Sequence, residues 1–141
     1  MRYLIRLSYN GGKLCGWQIQ PNGSTVQGEI EKALETLLGM PVTITGAGRT
    51  DSGVNAVNYI AHFELPDEKA FDAAQFRYKL NAILPHEIVI HEITETSVDF
   101  HARFDARSRE YHYFIHFCKD PFCESFSYRM RNQLDVEKMN E

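Results

Sequence analysis

The chain has 141 residues, of which 43% are hydrophobic and 24% charged, a composition typical of a globular protein and not of a disordered one. Its net charge of −4 argues against indiscriminate binding of nucleic acid. No apolar run approaches the roughly 18 residues of a membrane helix, charge interrupts the N-terminus too early for a secretory signal, and three cysteines do not suggest a disulfide framework. We therefore expect a cytoplasmic protein without membrane association.

The first elements predicted are a strand and a helix. Apolar residues alternate with others before Asn10, at Tyr3, Ile5, Leu7 and Tyr9, which is the period of a half-buried strand. Ser24 and Gln27 fit a capping box, and Gly39 is placed to end the helix that follows. The apolar residues of this helix recur at helical spacing, at Val26, Ile30, Ala33, Leu34 and Leu37.

Two more strands and a second helix follow. Residues 42–45 predict a short strand, and alternation over residues 57–65 predicts a longer one. Asp72 repeats the capping pattern, and the helix is expected to end before Pro85. Residues 86–94 predict another strand. The order β-α-β-β-α-β favours the α+β class, as a ferredoxin-like unit with both helices on one face of an antiparallel-containing sheet.

Two details complete the prediction for the second helix and the C-terminal region. Phe71 is placed to pack against Phe76 at the start of the second helix. Alternating aromatic residues predict a fifth strand from about Arg109 to Phe117, added to the antiparallel sheet.

The last residues predict the start of a helix. Asp135 is placed as its N-cap and residues 136–139 as its first turn, yet the chain ends at Glu141, too early for a helix to form alone. We therefore expect residues 1–141 to be the N-terminal half of a longer protein.

The segment of greatest chemical interest is the loop at residues 46–53, which holds three glycines together with Arg49 and Asp51. One interpretation is a surface turn with a local contact between the two charges. The other is a shaped loop that presents reactive groups. Asp51 could then act as a general base, a nucleophile or a metal ligand, but residues 41–58 offer no further carboxylate or histidine for a metal. Arg49 would keep the carboxylate ionised, orient it and reach a phosphate.

A second candidate site is the densest basic run of the chain, at His101, Arg103, Arg107 and Arg109. Aromatic residues interleave with it, as in sites for unpaired RNA bases. An arginine-rich strand edge above core aromatics explains the same pattern equally well. The only tryptophan, Trp17, is expected to pack at the rim of the core rather than to stack on a base. His112, His116, Cys118 and Cys123 match no familiar zinc spacing, so no metal is predicted.

In its motifs the chain resembles the N-terminal half of the tRNA pseudouridine synthase A (TruA) family. The matching stretches run through almost the whole chain: Tyr9-Asn10-Gly11-Gly12, Gly16-Trp17-Gln18-Ile19-Gln20, Thr25-Val26-Gln27, Gly48-Arg49-Thr50-Asp51-Ser52-Gly53-Val54, Leu80-Asn81-Ala82-Ile83-Leu84-Pro85, Phe100-His101-Ala102-Arg103-Phe104-Asp105-Ala106 and Arg109-Glu110-Tyr111-His112-Tyr113. So many matches in order make chance agreement implausible.

The resemblance implies conversion of uridine to pseudouridine in the anticodon stem-loop of tRNA, by a homodimer without metal or cofactor. It implies that Asp51 is the catalytic aspartate, that Arg49 pairs with it and helps to hold the base out of the RNA helix, and that Tyr111 stacks on the uracil. This agrees with the way enzymes reach a base by extruding it from the stack.

The chain departs from the family pattern in two respects. Asn55 stands where bacterial members usually carry histidine. The second half that completes the RNA cleft in the family is absent from these residues, so we expect this polypeptide alone to be inactive. The alternative function is a non-catalytic RNA-binding or dimerisation module that keeps the fold.

Overall fold

The computed structural model describes residues 1–66 and 72–141, which form two compact units, Met1–Arg107 and Ser108–Glu141. The first unit contains four strands and two helices in the predicted order. They are β1 (Arg2–Tyr9), α1 (Val26–Leu38), β2 (Ile44–Gly46), β3 (Ala56–Glu64), α2 (Ala73–Ile83) and β4 (Ile88–Thr96), with a single 3-10 turn at Gly11–Lys13 after β1. The strand boundaries differ from the predicted ones by only one or two residues.

The four strands form one sheet in the order β2-β3-β1-β4, and every neighbouring pair is antiparallel. In the centre of the sheet, Ile5 of β1 lies opposite Ala61 on one side and Ile93 on the other. Strand β3 therefore separates β1 from β2, and β1 separates β3 from β4. The predicted α+β class is confirmed.

One face of β1 forms the centre of the core. Its alternating residues Tyr3, Ile5, Leu7 and Tyr9 are each at most 5% exposed, which confirms the predicted period of two. They join one cluster with the buried residues of both helices, Val26, Ile30, Ala33 and Leu34 of α1 and Phe76 and Leu80 of α2. The hydrophobic burial of this face accounts for the stability of the sheet.

Helix α1 begins one residue later than the capping box predicted. Thr25, and not Ser24, is its N-cap and accepts a hydrogen bond from the backbone N–H of Gly28, while the hydroxyl of Ser24 donates to Glu29. The reason is tertiary: the N–H groups of residues 26 and 27 donate to the carbonyls of residues 16 and 17, so the preceding loop satisfies the first turn. Gly39 ends the helix with a φ of 68°, as predicted.

The other helix signals agree with the structure. Asp72 caps α2 by accepting from the N–H groups of residues 74 and 75, at 2.9 and 3.1 Å. The helix ends at Ile83, before Pro85. Phe71, which was predicted to pack against Phe76, lies outside the described residues.

The second unit contains little regular structure. Strands β5 (Ile115–His116) and β6 (Tyr128–Arg129) pair in parallel, and Asp135 caps the short helix α3 (Val136–Met139) as predicted. The strand predicted from Arg109 to Phe117 is reduced to β5, which pairs with β6 and does not extend the four-stranded sheet. Alternation of side chains favours an extended backbone but cannot supply a neighbouring strand to pair with.

Candidate active site

The loop between β2 and β3, residues 47–55, is fixed to β3 on the N-terminal side of Arg49. The N–H of Ala47 donates to the carbonyl of Ile60 at 2.9 Å. The hydroxyl of Tyr59 accepts from the N–H of Gly48 at 3.2 Å and donates to the carbonyl of the same residue. One phenol therefore satisfies both backbone groups of the residue that precedes Arg49.

The segment between β1 and α1 fixes the rest of the loop. The N–H of Trp17 donates to the carbonyl of Thr50 at 3.1 Å, and the N–H of Gly53 donates to the carbonyl of Leu14 at 3.3 Å. The hydroxyl of Tyr9 forms a hydrogen bond with the Thr50 hydroxyl at 2.8 Å. The loop is thus held on both sides of Asp51, through backbone groups and a threonine hydroxyl.

Two glycines allow this close approach. Gly16 has a φ of +80°, and a Cβ there would overlap the carbonyl oxygen of Thr50. A Cβ at Gly11 would overlap the carbonyl oxygen of Val54. The two stretches of chain therefore meet backbone to backbone.

An aromatic cluster of Tyr9, Trp17 and Tyr59 lies beside the loop. The rings of Trp17 and Tyr59 have their centroids 4.4 Å apart, and those of Tyr9 and Tyr59 are 5.7 Å apart, edge to face. Trp17 is only 4% exposed, so the prediction that it packs at the core is confirmed. Burial raises the pKa of the Tyr9 phenol, and its hydrogen bond to Thr50 offsets part of this effect, so Tyr9 stays a neutral hydroxyl.

Asp51 and Arg49 are both exposed and line one open depression, together with Cys15, Gln18, Ile19, Gln20, Thr50 and Ser52. Within the described part of the chain, no ion pair or hydrogen bond joins the two side chains. The predicted contact between them is therefore not formed here, because the loop is held by its backbone and its charged side chains extend outward. Both charges remain open to a ligand.

A second depression shares Arg49 and Gln18 with the first. Arg49 and Arg103 both line it, with Trp17, Gln27 and residues of β2. Two of the predicted residues that are distant in sequence are therefore brought together by the fold. Guanidinium groups are suited to binding phosphate oxygens.

His101 does not take part in this depression. Its ring stacks on that of Phe104, with centroids 4.1 Å apart, and its Nδ1 accepts hydrogen bonds from the N–H groups of Arg103 and Phe104. Arg107 is exposed at the end of the first unit. The assignment of both residues to RNA binding stays a prediction.

Tyr111 and Arg109 belong to the second unit, where Tyr111 is 69% exposed and Arg109 is also exposed. Their assignment to the site stays a prediction too.

Over residues 1–66 and 72–141, no group of three or more His, Cys, Asp or Glu side chains is arranged to hold a metal ion. In the same residues, none of the helices has the length and apolar character needed to cross a membrane.

Sequence reasoning missed the residues that support the loop. Tyr59 carried only a strand signal, and Tyr9 a strand signal together with its place in a stretch that matches the family. Nothing in either signal distinguishes a hydroxyl that holds a loop from one that faces the core. Asn55 was noticed only as a departure from the family pattern. Its side-chain oxygen accepts from the N–H of Gly11 at 2.8 Å, so it helps to fix the end of the loop.

Comparison with known proteins gives a consistent group of relatives. The chain is 46% identical over 140 residues to tRNA pseudouridine synthase A of Porphyromonas gingivalis and 49% identical over 140 residues to that of Parabacteroides distasonis. It is 38% identical over 143 residues to the protein of the same name from Chlamydia trachomatis serovar A. No protein-family model matches the chain.

These alignments cover 99% of the chain but only 54–56% of the relatives. The chain thus spans about half the length of the curated relatives it matches. Nearly all of this chain is therefore homologous to one part of proteins named tRNA pseudouridine synthase A.

Proposed function

We propose that this chain is the aspartate-bearing part of an enzyme that converts uridine to pseudouridine in the anticodon stem-loop of tRNA, with Asp51 as the catalytic carboxylate. The observation that carries the proposal is the position of Asp51 on the loop at residues 47–55. The carboxylate is exposed in a depression beside Arg49, on a loop that is held on both sides of it. The names of the relatives agree with this chemistry.

The reaction is an isomerisation in which atoms and electrons balance within the substrate. The bond between N1 of uracil and C1′ of ribose breaks, a bond between C5 and C1′ forms, C5 loses its hydrogen and N1 gains one. Asp51 either attacks the flipped nucleotide or assists cleavage and rejoining of the glycosidic bond. Either role needs an ionised carboxylate at a fixed place, because positioning supplies much of the acceleration.

The arginines are proposed to hold the RNA around this carboxylate. Arg49 lines both depressions, as Gln18 does, and its guanidinium group is proposed to contact a phosphate in one and the flipped nucleotide in the other. Arg103 adds a second guanidinium to the depression that lacks Asp51. Tyr111 is proposed to stack on the uracil, a role that rests on the family resemblance.

The test is release of tritium from 5-labelled uridine in tRNA by the full-length protein that carries this chain. Asp51→Asn removes the charge with little change of shape, and we expect turnover to fall by at least about a hundredfold. Binding of tRNA should stay within a few fold of the wild type, because Asp51 adds no attraction for phosphate. Asp99→Asn is the matched control, since Asp99 is exposed and lies outside both depressions.

The outcomes separate the competing functions. Unchanged turnover in Asp51→Asn would refute the role of this carboxylate. Normal tRNA binding without turnover by the wild type would favour an RNA-binding module. Absence of salt-dependent tRNA binding would favour a dimerisation or interaction domain.

The full-length protein is also proposed to be a homodimer. Sedimentation equilibrium measures its mass in solution and so tests this directly.

A further inference from the structure

Histidine nitrogens hold the turn that carries Arg103. The N–H of Ala102 donates to Nδ1 of His62 at 3.2 Å. The N–H groups of Arg103 and Phe104 are directed at Nδ1 of His101, at 3.2 and 3.4 Å. Three consecutive backbone donors therefore depend on lone pairs of two imidazoles. The Phe104 donor is shared with the carbonyl of His101, at 3.1 Å.

His62 is a buried residue of β3, only 6% exposed, and it lies beneath this turn. Its ring contacts those of Phe100 and His101, with centroids 6.1 and 4.9 Å away. Burial lowers the pKa of His62 below its ordinary value of 6.5, and the charges of Arg2 and His101 lower it further, while Glu64 acts in the opposite direction. The neutral form is the one that the fold favours.

The surroundings of His101 complete the set of charged groups at the turn. The carboxylate of Asp105 accepts the backbone N–H of His101 at 2.7 Å. Arg2, which forms an ion pair with Glu64, donates to the carbonyl of Phe100 and so ties the start of the turn to β1. An imidazolium carries hydrogen on both ring nitrogens, so protonation of either histidine turns an acceptor toward the turn into a donor.

We propose that His62 and His101 are positioning residues, which hold Arg103 at the depression that it shares with Arg49 only while both imidazoles are neutral. The inference rests on the proposed function of that depression in binding tRNA. Its consequence is that acidification weakens the contribution of Arg103 to tRNA binding. A histidine that contacted phosphate directly would have the opposite effect on tRNA binding, because its positive charge would strengthen binding as the pH falls.

The experiment compares tRNA binding by the full-length protein at about pH 7.5 and about pH 5.5, at constant ionic strength. In His62→Asn and His101→Asn, the amide oxygen can replace Nδ1 as acceptor but cannot titrate. His86→Asn is the matched control, since His86 is exposed just after α2. Fluorescence anisotropy with an unmodified tRNA transcript measures the affinity.

We expect acidification to weaken tRNA binding by the wild type and by His86→Asn, and to weaken it less in His101→Asn. The difference should be about fivefold in affinity, which corresponds to about one lost hydrogen bond. His101→Ala, which has no acceptor, should bind weakly at both pH values. In an Arg103→Ala background, the histidine substitutions should change nothing, because the group that they position is gone. If His62→Asn does not fold by circular dichroism, the half-exposed His101 variants carry the test alone.

The results distinguish the two proposals. The positioning role would be overturned if acidification changed the tRNA affinity of the wild type and of His101→Asn equally, or if it strengthened binding by the wild type relative to His101→Asn. Either result would leave tRNA binding itself intact. Absence of tRNA binding at both pH values would overturn the proposed function and this inference together. Amide hydrogen exchange gives a readout without RNA: protection of residues 103 and 104, whose N–H groups are directed at His101, should fall in acid in the wild type and persist in His101→Asn.

Discussion

At the scale of single residues, the loop that carries Asp51 depends on two phenol hydroxyls. Tyr59 satisfies both backbone groups of Gly48, and Tyr9 forms a hydrogen bond with Thr50 on the other side of Arg49. Part-buried polar groups need partners, so these hydroxyls contribute to stability and fix the loop at the same time. Arg49 and Asp51 can therefore be exposed without the loop being loose.

We predict that Tyr59→Phe lowers the free energy of unfolding by about 1–2 kcal/mol, because the hydroxyl that serves both Gly48 groups is lost while the ring still packs. Urea unfolding followed by circular dichroism measures the change. Tyr78→Phe is the control, since Tyr78 is 76% exposed on α2 and should lose almost nothing. Equal stability of the two variants would show that the Gly48 contacts contribute no net stability.

At the scale of elements, the stretch between β1 and α1 acts as a support for the loop as well as a connection. It supplies a donor and an acceptor to the loop from Trp17 and Leu14, and carbonyls to the first turn of α1 from residues 16 and 17. The positive φ of Gly16 lets this one segment contact both the loop and the first turn of α1. The loop at residues 47–55 and the start of α1 are therefore coupled through these few residues.

Gly16→Ala and Gly39→Ala form a matched pair of variants that isolates the contact between Gly16 and the loop at Thr50. Both glycines have a positive φ, but a Cβ at Gly39 would meet nothing within 4 Å, whereas one at Gly16 would overlap Thr50. We expect Gly39→Ala to cost about 1–2 kcal/mol of unfolding free energy and Gly16→Ala about 2–5 kcal/mol. Thermal unfolding measures both. Equal losses would mean that the loop can move away at no cost.

The elements also show what sequence patterns can predict. The period of two in β1 and the caps at Gly39 and Asp72 are local, so the sequence alone was sufficient. The start of α1 was misplaced by one residue because the deciding partners are carbonyls of the preceding loop. The strand over residues 109–117 was overpredicted because pairing depends on where another strand lies.

At the scale of the whole molecule, the buried apolar side chains are concentrated in the first unit. Every described hydrophobic residue that is buried lies at or before Ala102, and the second unit exposes most of its large apolar side chains. That Arg49 and Arg103 line the same depression belongs to this scale, because it depends on how the turn after β4 returns to the sheet. No local pattern could have predicted it.

We predict that a polypeptide ending at Arg107 unfolds cooperatively, with a free energy of unfolding within about 1 kcal/mol of that of residues 1–141, because it keeps the described buried core. Urea denaturation followed by tryptophan fluorescence is suited to the measurement, since Trp17 is buried in the first unit. Loss of the cooperative transition in the shortened chain would contradict the prediction.

The contact between Gly11 and Val54 has a consequence for protein engineering. Because these backbones touch, the number of residues connecting β2 to β3 is constrained more strictly than the identity of the exposed side chains between them. A designer can exchange the side chains at positions 49 and 51 to seek new chemistry on an intact support. Inserting or deleting one residue there would instead move every later atom of the connection out of register with its neighbour, and the support would be lost before any new chemistry could be tried.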